Sequence, residues 1–154
     1  MRLGGGLSLS VAAAYTDARR RETVRAAGSN ATTVQAGDPL GASKWQVSAT
    51  LQYSTRIADK EAYARADYRS ASGYLRGPAP SNFGYDPIVA RTAPANAANL
   101  RAGIILGQWE AAVFANNVAN SRDRLYVAHT NASPLFTAST FRPHEIGIQL
   151  GYSY

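Results

Sequence analysis

The chain has 154 residues, a net charge of +6 and no cysteine. Without cysteine, neither disulfide bonds nor a cysteine metal site can organise the fold. The mean hydropathy is -0.24, and no apolar run approaches the roughly 20 residues of a membrane-spanning helix, which excludes a helical membrane protein. The N-terminus lacks the apolar segment and cleavage site of a secretory signal, so we expect the chain to begin inside a longer protein.

Apolar and polar residues alternate with period two in six segments, which is the pattern of strands with one apolar face. In the first segment the odd positions, from Leu7 to Tyr15, are apolar. In the third segment, residues 61–69, the polar face carries four charged residues. The segments are residues 7–15, 44–56, 61–69, 100–106, 109–115 and 146–154. The sequence therefore predicts an all-β fold of about six antiparallel up-and-down strands.

The connections between these segments alternate in length. Three are long, at residues 18–43, 72–97 and 120–142, whereas Ala58-Asp59 and Gly107-Gln108 are tight turns. Long extracellular loops and short periplasmic turns are typical of an outer-membrane β-barrel. Around Gly107-Gln108 the predicted register places Leu106 opposite Trp109 and Ala102 opposite Val113. Ile105 and Phe114 are the two apolar residues that this register leaves on the polar face.

Seven aromatic residues on the apolar face fall at the two ends of the predicted strands. They are Tyr15, Trp45 and Tyr68 at the loop end, and Tyr53, Trp109, Tyr152 and Tyr154 at the turn end. Two aromatic belts around a band of aliphatic residues are typical of a transmembrane barrel. The opposite face would line a wet lumen with Glu61, Arg65, Asp67, Arg69, Arg101, Glu110 and Asn116.

Three motifs follow one another in the last third of the chain. Asn99 and Arg101 open one strand, Trp109 leads the next towards an Asn-Val-Ala-Asn turn at residues 117–120, and Arg142-Pro143 precedes the final strand. This order resembles the end of a TonB-dependent receptor, over residues 99–154. The earlier part of the chain shares only the strand pattern. Unlike typical family members, the chain ends in Tyr154 instead of phenylalanine, and its last glycines are displaced.

The resemblance implies a fold, a location and partners. The family builds a plugged barrel of the 22-stranded type in the outer membrane of Gram-negative bacteria, and this chain lacks the plug domain and the TonB box. We therefore expect residues 1–154 to be a C-terminal fragment that does not transport alone. Its parent would import scarce ligands such as iron-siderophore complexes or cobalamin. Partners would be outer-membrane lipid and lipopolysaccharide, the remaining barrel and plug, TonB, and the barrel-assembly machinery, which would read Leu150, Tyr152 and Tyr154.

No motif for catalysis or for a cofactor is present. His129 and His144 are fifteen residues apart and do not form a metal-ligand pair. Glu61 and Asp67 share their face with Arg65 and Arg69, which favours ion pairing over acid–base catalysis. The arginines are scattered apart from the run of residues 19–21, which argues against nucleic acid as a partner. We expect the chain not to be an enzyme.

Two other interpretations remain open. A small outer-membrane barrel of about eight strands, with a structural or adhesive role, would need two further strands, in residues 23–37 and 83–92. A soluble lipocalin-like barrel would use the same alternation with its apolar face turned inward around a ligand.

Overall fold

A computed structural model describes residues 2–76, 79–80, 82, 85–129 and 134–154. This part of the chain is all-β and contains no helix, and so no helix that is long and apolar enough to span a membrane. Its strands are β1 (Arg2–Gly4), β2 (Leu7–Tyr15), β3 (Val24–Arg25), β4 (Thr32–Val34), β5 (Trp45–Ile57), β6 (Lys60–Ala71), β7 (Ala95–Leu106), β8 (Trp109–Asn116), β9 (Arg124–His129), β10 (Phe136–Thr140) and β11 (Glu145–Tyr152).

The main sheet has seven antiparallel strands in the order β1-β2-β5-β6-β7-β8-β11 and does not close into a barrel. The six predicted strands are confirmed as β2, β5, β6, β7, β8 and β11. The sequence did not predict β1, because its three residues are too few to show an alternation. Strand β7 begins at Ala95, earlier than predicted, since the small residues before Leu100 carry little apolar contrast.

Three tight turns join neighbouring strands at one end of the main sheet. Ala58 and Asp59 have φ values of 46° and 60°, as required at both central positions of the type I′ turns that suit two-residue hairpins. Gly107, with a φ of 68°, supplies the same freedom to the β7–β8 turn. In the β1–β2 turn a Cβ on Gly6 would lie 2.0 Å from the Ser54 carbonyl oxygen, so this position has room only for glycine.

The predicted register of the β7–β8 hairpin is confirmed, with Leu106 opposite Trp109 and Ala102 opposite Val113. In the β2–β5, β5–β6, β6–β7 and β8–β11 pairs, too, residues of the apolar alternation lie opposite one another on the same side. One continuous row consists of Leu9, Leu51, Ala66, Leu100, Ala115 and Ile146. The side of the sheet that carries this row is called here the apolar face, and the opposite side the polar face.

The apolar face is open over most of its extent. Val11 is 61% exposed and Ile148 is 76% exposed. Among the described residues, the only buried hydrophobic ones are Ala90 and Ala112, so this part of the chain has no conventional hydrophobic core. The sheet is held by its hydrogen-bond ladders and by contacts within each face.

The predicted alternation of long loops and short turns is confirmed. The long connections, residues 16–44, 72–94 and 117–144, are called here loop 1, loop 2 and loop 3. Loop 1 contains the β3–β4 hairpin and loop 3 contains the β9–β10 hairpin, and both form separate two-stranded sheets. Strands β3 and β4 fall in residues 23–37 but do not extend the main sheet. In the described part of residues 83–92 there is only an isolated bridge from Leu75 to Arg91; Phe83 and Gly84 lie outside the described residues.

Candidate functional site

The polar face gathers the side chains that the sequence assigned to a lumen. Glu61, Arg65, Asp67 and Arg69 lie on β6, Arg101 on β7, and Glu110 and Asn116 on β8. Strand alternation puts all seven on one side, and the register sets Arg65 opposite Arg101 and Asp67 opposite Asn99. The polar and charged residues of three neighbouring strands therefore share one surface.

Arg101 is the centre of a hydrogen-bonded cluster on this face. Its guanidinium donates to the Tyr63 hydroxyl at 2.7 Å, to Gln149 Oε1 at 2.7 Å and to Glu110 Oε1 at 3.0 Å. The Tyr63 hydroxyl in turn donates to Glu110 Oε1. One arginine thus connects side chains from β6, β7, β8 and β11. The sequence analysis missed Tyr63 and Gln149, although their parity places them on the polar face.

A second cluster joins β5 and β6. The Arg65 guanidinium donates to both carboxylate oxygens of Asp67, each at 2.8 Å, and the Thr50 hydroxyl donates to Asp67 Oδ1 at 2.7 Å. Such a two-pronged pair is a strong form of charged hydrogen bond. In the described part of the chain, the side chains of Glu61, Arg69 and Asn116 make no hydrogen bond or ion pair, although they had been predicted for the same face.

Asn117, the first residue of the Asn-Val-Ala-Asn turn, fixes the start of loop 3. It has a φ of 48° and is 6% exposed. Its side-chain amide donates to the carbonyl oxygens of Ser121 at 3.0 Å and Arg142 at 2.8 Å, and its Oδ1 accepts from the Ser121 N–H at 2.9 Å. Its own N–H donates to Asn99 Oδ1 at 2.9 Å. Both ends of loop 3 are therefore tied to the sheet through one buried amide.

Loop 2 is linked to both other loops. Asn82 donates to the Asp38 carboxylate in loop 1. Arg76 donates to the Val127 carbonyl in loop 3, and its guanidinium lies 3.7 Å from the centre of the Tyr126 ring, a cation–π distance. The three loops therefore form a connected layer above the end of the sheet.

The two histidines lie apart from the clusters on the polar face. His129 Nδ1 lies 3.1 Å from Asp86 Oδ2, an ion-pair distance without hydrogen-bond alignment, and its ring stacks on Phe136. His144 is exposed just before β11. The described residues hold no group of three His, Cys, Asp or Glu placed to bind a metal ion.

The arginine run at residues 19–21 lies in loop 1, close to the end of β2. Arg19 is engaged within the chain, because it donates to Asp17 at 3.1 Å and to the Gly37 carbonyl at 3.2 Å. Lys44 also lies 3.3 Å from Asp17. The Arg19 hydrogen bond and then Lys44 hold the pKa of Asp17 below its ordinary value. Arg20 and Arg21 are exposed.

The predicted girdle residues lie on the apolar face at both ends of the sheet. At the loop end Tyr15 packs against Trp45, and at the turn end Trp109 packs against Tyr152, each pair with ring centroids 4.9 Å apart. Tyr68 and Tyr53 are each set slightly inward from these ends, and Tyr154 follows β11 and is exposed. Leu150 lies between the belts on β11, 70% exposed.

A cavity of about 790 Å³ lies between the polar face and loop 3. Its wall from the sheet includes Arg69, Asn99 and Asn116, and its wall from loop 3 includes Leu125, Phe141 and Arg142. Loop 3 therefore folds over the polar face near the end that carries the loops. The lining residues suit the binding of polar molecules or water.

Comparison with protein-family models, with curated proteins and with solved structures returned no match.

Proposed function

We propose that this chain is part of the wall of an outer-membrane β-barrel of the TonB-dependent-receptor type. The observation that carries the proposal is the apolar face, which runs across six antiparallel strands and stays exposed at Val11, Val113 and Ile148. Exposed apolar surfaces of this size on a water-soluble protein are rare and mark contact with a membrane or a partner. A lipid bilayer satisfies such a face, because the sheet already pairs its backbone groups.

The two faces of the sheet support an orientation in which the apolar face contacts lipid and the polar face lines the lumen. The polar face carries the ion pairs Arg65–Asp67 and Arg101–Glu110, and loop 3 folds over it. The apolar face is bordered by the Tyr15–Trp45 and Trp109–Tyr152 pairs, where a bilayer has its interfaces. A lipocalin-like barrel would enclose the apolar face instead, and its loops would cover that side.

The open sheet supports the proposal that this chain is a fragment of a larger barrel wall. Within the described residues β11 pairs only with β8, and β1 covers only the first residues of β2, so both edges need further strands in a membrane. In this proposal the remaining barrel and a plug domain complete the receptor, TonB energises it, and the barrel-assembly machinery inserts it. The imported ligand, an iron-siderophore complex or cobalamin, follows from the family resemblance alone. The chain by itself would neither transport nor catalyse.

Two neighbouring residues of β2 provide the test. Val11 lies midway along the apolar face between the Leu7 and Tyr15 ends, and Ser10 points to the other face. Arginine on the lipid side at mid-depth costs about 2–4 kcal/mol, so V11R should reduce partitioning of the chain into phosphatidylcholine vesicles by about 30-fold or more. S10R adds the same charge on the polar side and should change partitioning little.

If V11R and S10R reduced vesicle partitioning equally, the proposal that the apolar face contacts lipid would be refuted. Recovery of the unmodified chain in the aqueous phase without detergent or vesicles would refute membrane embedding and favour the lipocalin-like alternative.

A further inference from the structure

The cavity between the polar face and loop 3 is built entirely by this chain. At about 790 Å³ it falls within the range of small-molecule pockets, roughly 300–1,000 Å³. Neither the missing strands nor a plug is required to form its walls. Asn117 holds loop 3 in place above the sheet through its hydrogen bonds to the carbonyl oxygens of Ser121 and Arg142. These buried hydrogen bonds therefore fix the position of the loop that forms one wall of the cavity.

Positive charge dominates the lining of the cavity. Arg69 and Arg142 line it, and within the described residues neither guanidinium has a hydrogen-bond or ion-pair partner. The nearest carboxylate along β6, Asp67, attracts Arg69 electrostatically but forms its ion pair with Arg65, at 2.8 Å. Glu145 is the single acidic residue of the lining, which leaves an excess of one positive charge.

The other lining groups are those that recognise hydroxyl-rich molecules. Asn99, Asn116 and Gln46 contribute amides, and Ser48 contributes a hydroxyl. Phe141 and Leu125 supply apolar surface from loop 3. A guanidinium without a partner binds carboxylate and phosphate groups through paired hydrogen bonds, and the amides can bind a polar body attached to such a group.

We propose that this cavity binds a small, hydroxyl-bearing organic anion through Arg69 and Arg142. The anionic group is a carboxylate or a phosphate, which guanidinium chemistry accepts alike. The inference rests on the proposed function only in placing the cavity on the lumen side near the extracellular loops, where it would meet the imported ligand. The binding itself depends on this chain alone.

The test compares three sugars that share one ring. Binding of glucose 6-phosphate, glucuronate and glucose to the full chain in neutral detergent micelles is measured by NMR titration at low salt. Both anions should bind at least about tenfold more tightly than glucose, because each charged hydrogen bond adds that order of affinity. A preference for one anion would identify whether phosphate or carboxylate is recognised. Added salt should weaken their binding.

Four variants locate the site. R69Q and R142Q should each weaken anion binding by about tenfold, and E145Q should strengthen it, because it removes the carboxylate that repels the anion. Arg56 lies on the polar face outside the cavity, so R56Q should leave binding unchanged and serves as the charge-matched control. Glucose binding should not respond to any of the four.

Three results would overturn the proposal: equal affinity for glucose and the anions, no anion binding at millimolar concentrations, or equal losses in R56Q and R69Q. The last would show a general charge effect. Because R69Q changes an exposed side chain, its result holds even if R142Q disturbs loop 3. A chain that enters vesicles yet fails these titrations would refute the cavity while leaving the membrane proposal intact.

Discussion

Replacing Gly147 by alanine should destabilise the sheet because the Phe114 ring occupies the space above that glycine. A Cβ on Gly147 would lie 2.4 Å from Phe114 Cζ and 2.8 Å from Cε1, well inside van der Waals contact. The ring must rotate away or β11 must shift, and overpacking of this kind costs about 1–3 kcal/mol. Gly151 is the matched control on the same strand and face, because its Cβ would make only ordinary contacts, with Glu110 Cβ at 3.7 Å and Glu110 Oε2 at 3.9 Å.

The expected result is therefore opposite for the two glycines. G151A should be neutral or stabilise by about 0.5–1 kcal/mol, since alanine restricts the unfolded chain, whereas G147A should lose about 1–3 kcal/mol. The assay is urea unfolding in detergent micelles, followed through Trp109, whose ring lies 4.9 Å from Tyr152 of β11, in a W45F background.

Removing the ring provides the decisive control. In an F114A background, G147A should cost nothing, because the clash is gone, and the double-mutant cycle should show a coupling of about 1–3 kcal/mol. A cost of G147A that persists unchanged without the Phe114 ring would refute the reasoning, as would equal stability of G147A and G151A.

Two further predictions concern the loops. N117G should cost about 1–3 kcal/mol in urea unfolding because it removes the side-chain hydrogen bonds of a buried amide, and N117A should cost about 1 kcal/mol more because alanine is disfavoured at a φ of 48°; wild-type stability of N117G would contradict this role. The pKa of Asp17 is lowered by Arg19 and then by Lys44. Asp17 should therefore remain negatively charged at pH values below those at which an ordinary carboxylate becomes protonated. The stabilisation by these contacts is present above the ordinary pKa and is lost as pH falls through the lowered one. An NMR titration in which R19Q leaves the Asp17 pKa unchanged would contradict the assignment.

Much of the site could be predicted residue by residue, because strand alternation is local. Parity alone put Arg101 and Glu110 on the same face, and the structure brings them into contact at 3.0 Å. Parity could not reveal that Gln149 also meets Arg101, since that contact requires β11 to pair with β8 after loop 3. Phe114, an exception in the sequence pattern, is explained only when Gly147 lies beside it.

The sequence by itself determined six strands of the main sheet, which way their side chains point and how the β7–β8 hairpin is aligned, since a period of two and a two-residue turn are set within a few neighbours. The tertiary structure decided the rest: the four-strand cluster around Arg101, the contacts among the three loops, and the cavity that Arg69 and Arg142 both line. These depend on segments far apart in the chain, whose meeting is set by the order of strands in the sheet and by the path of long loops. No local pattern encodes that path.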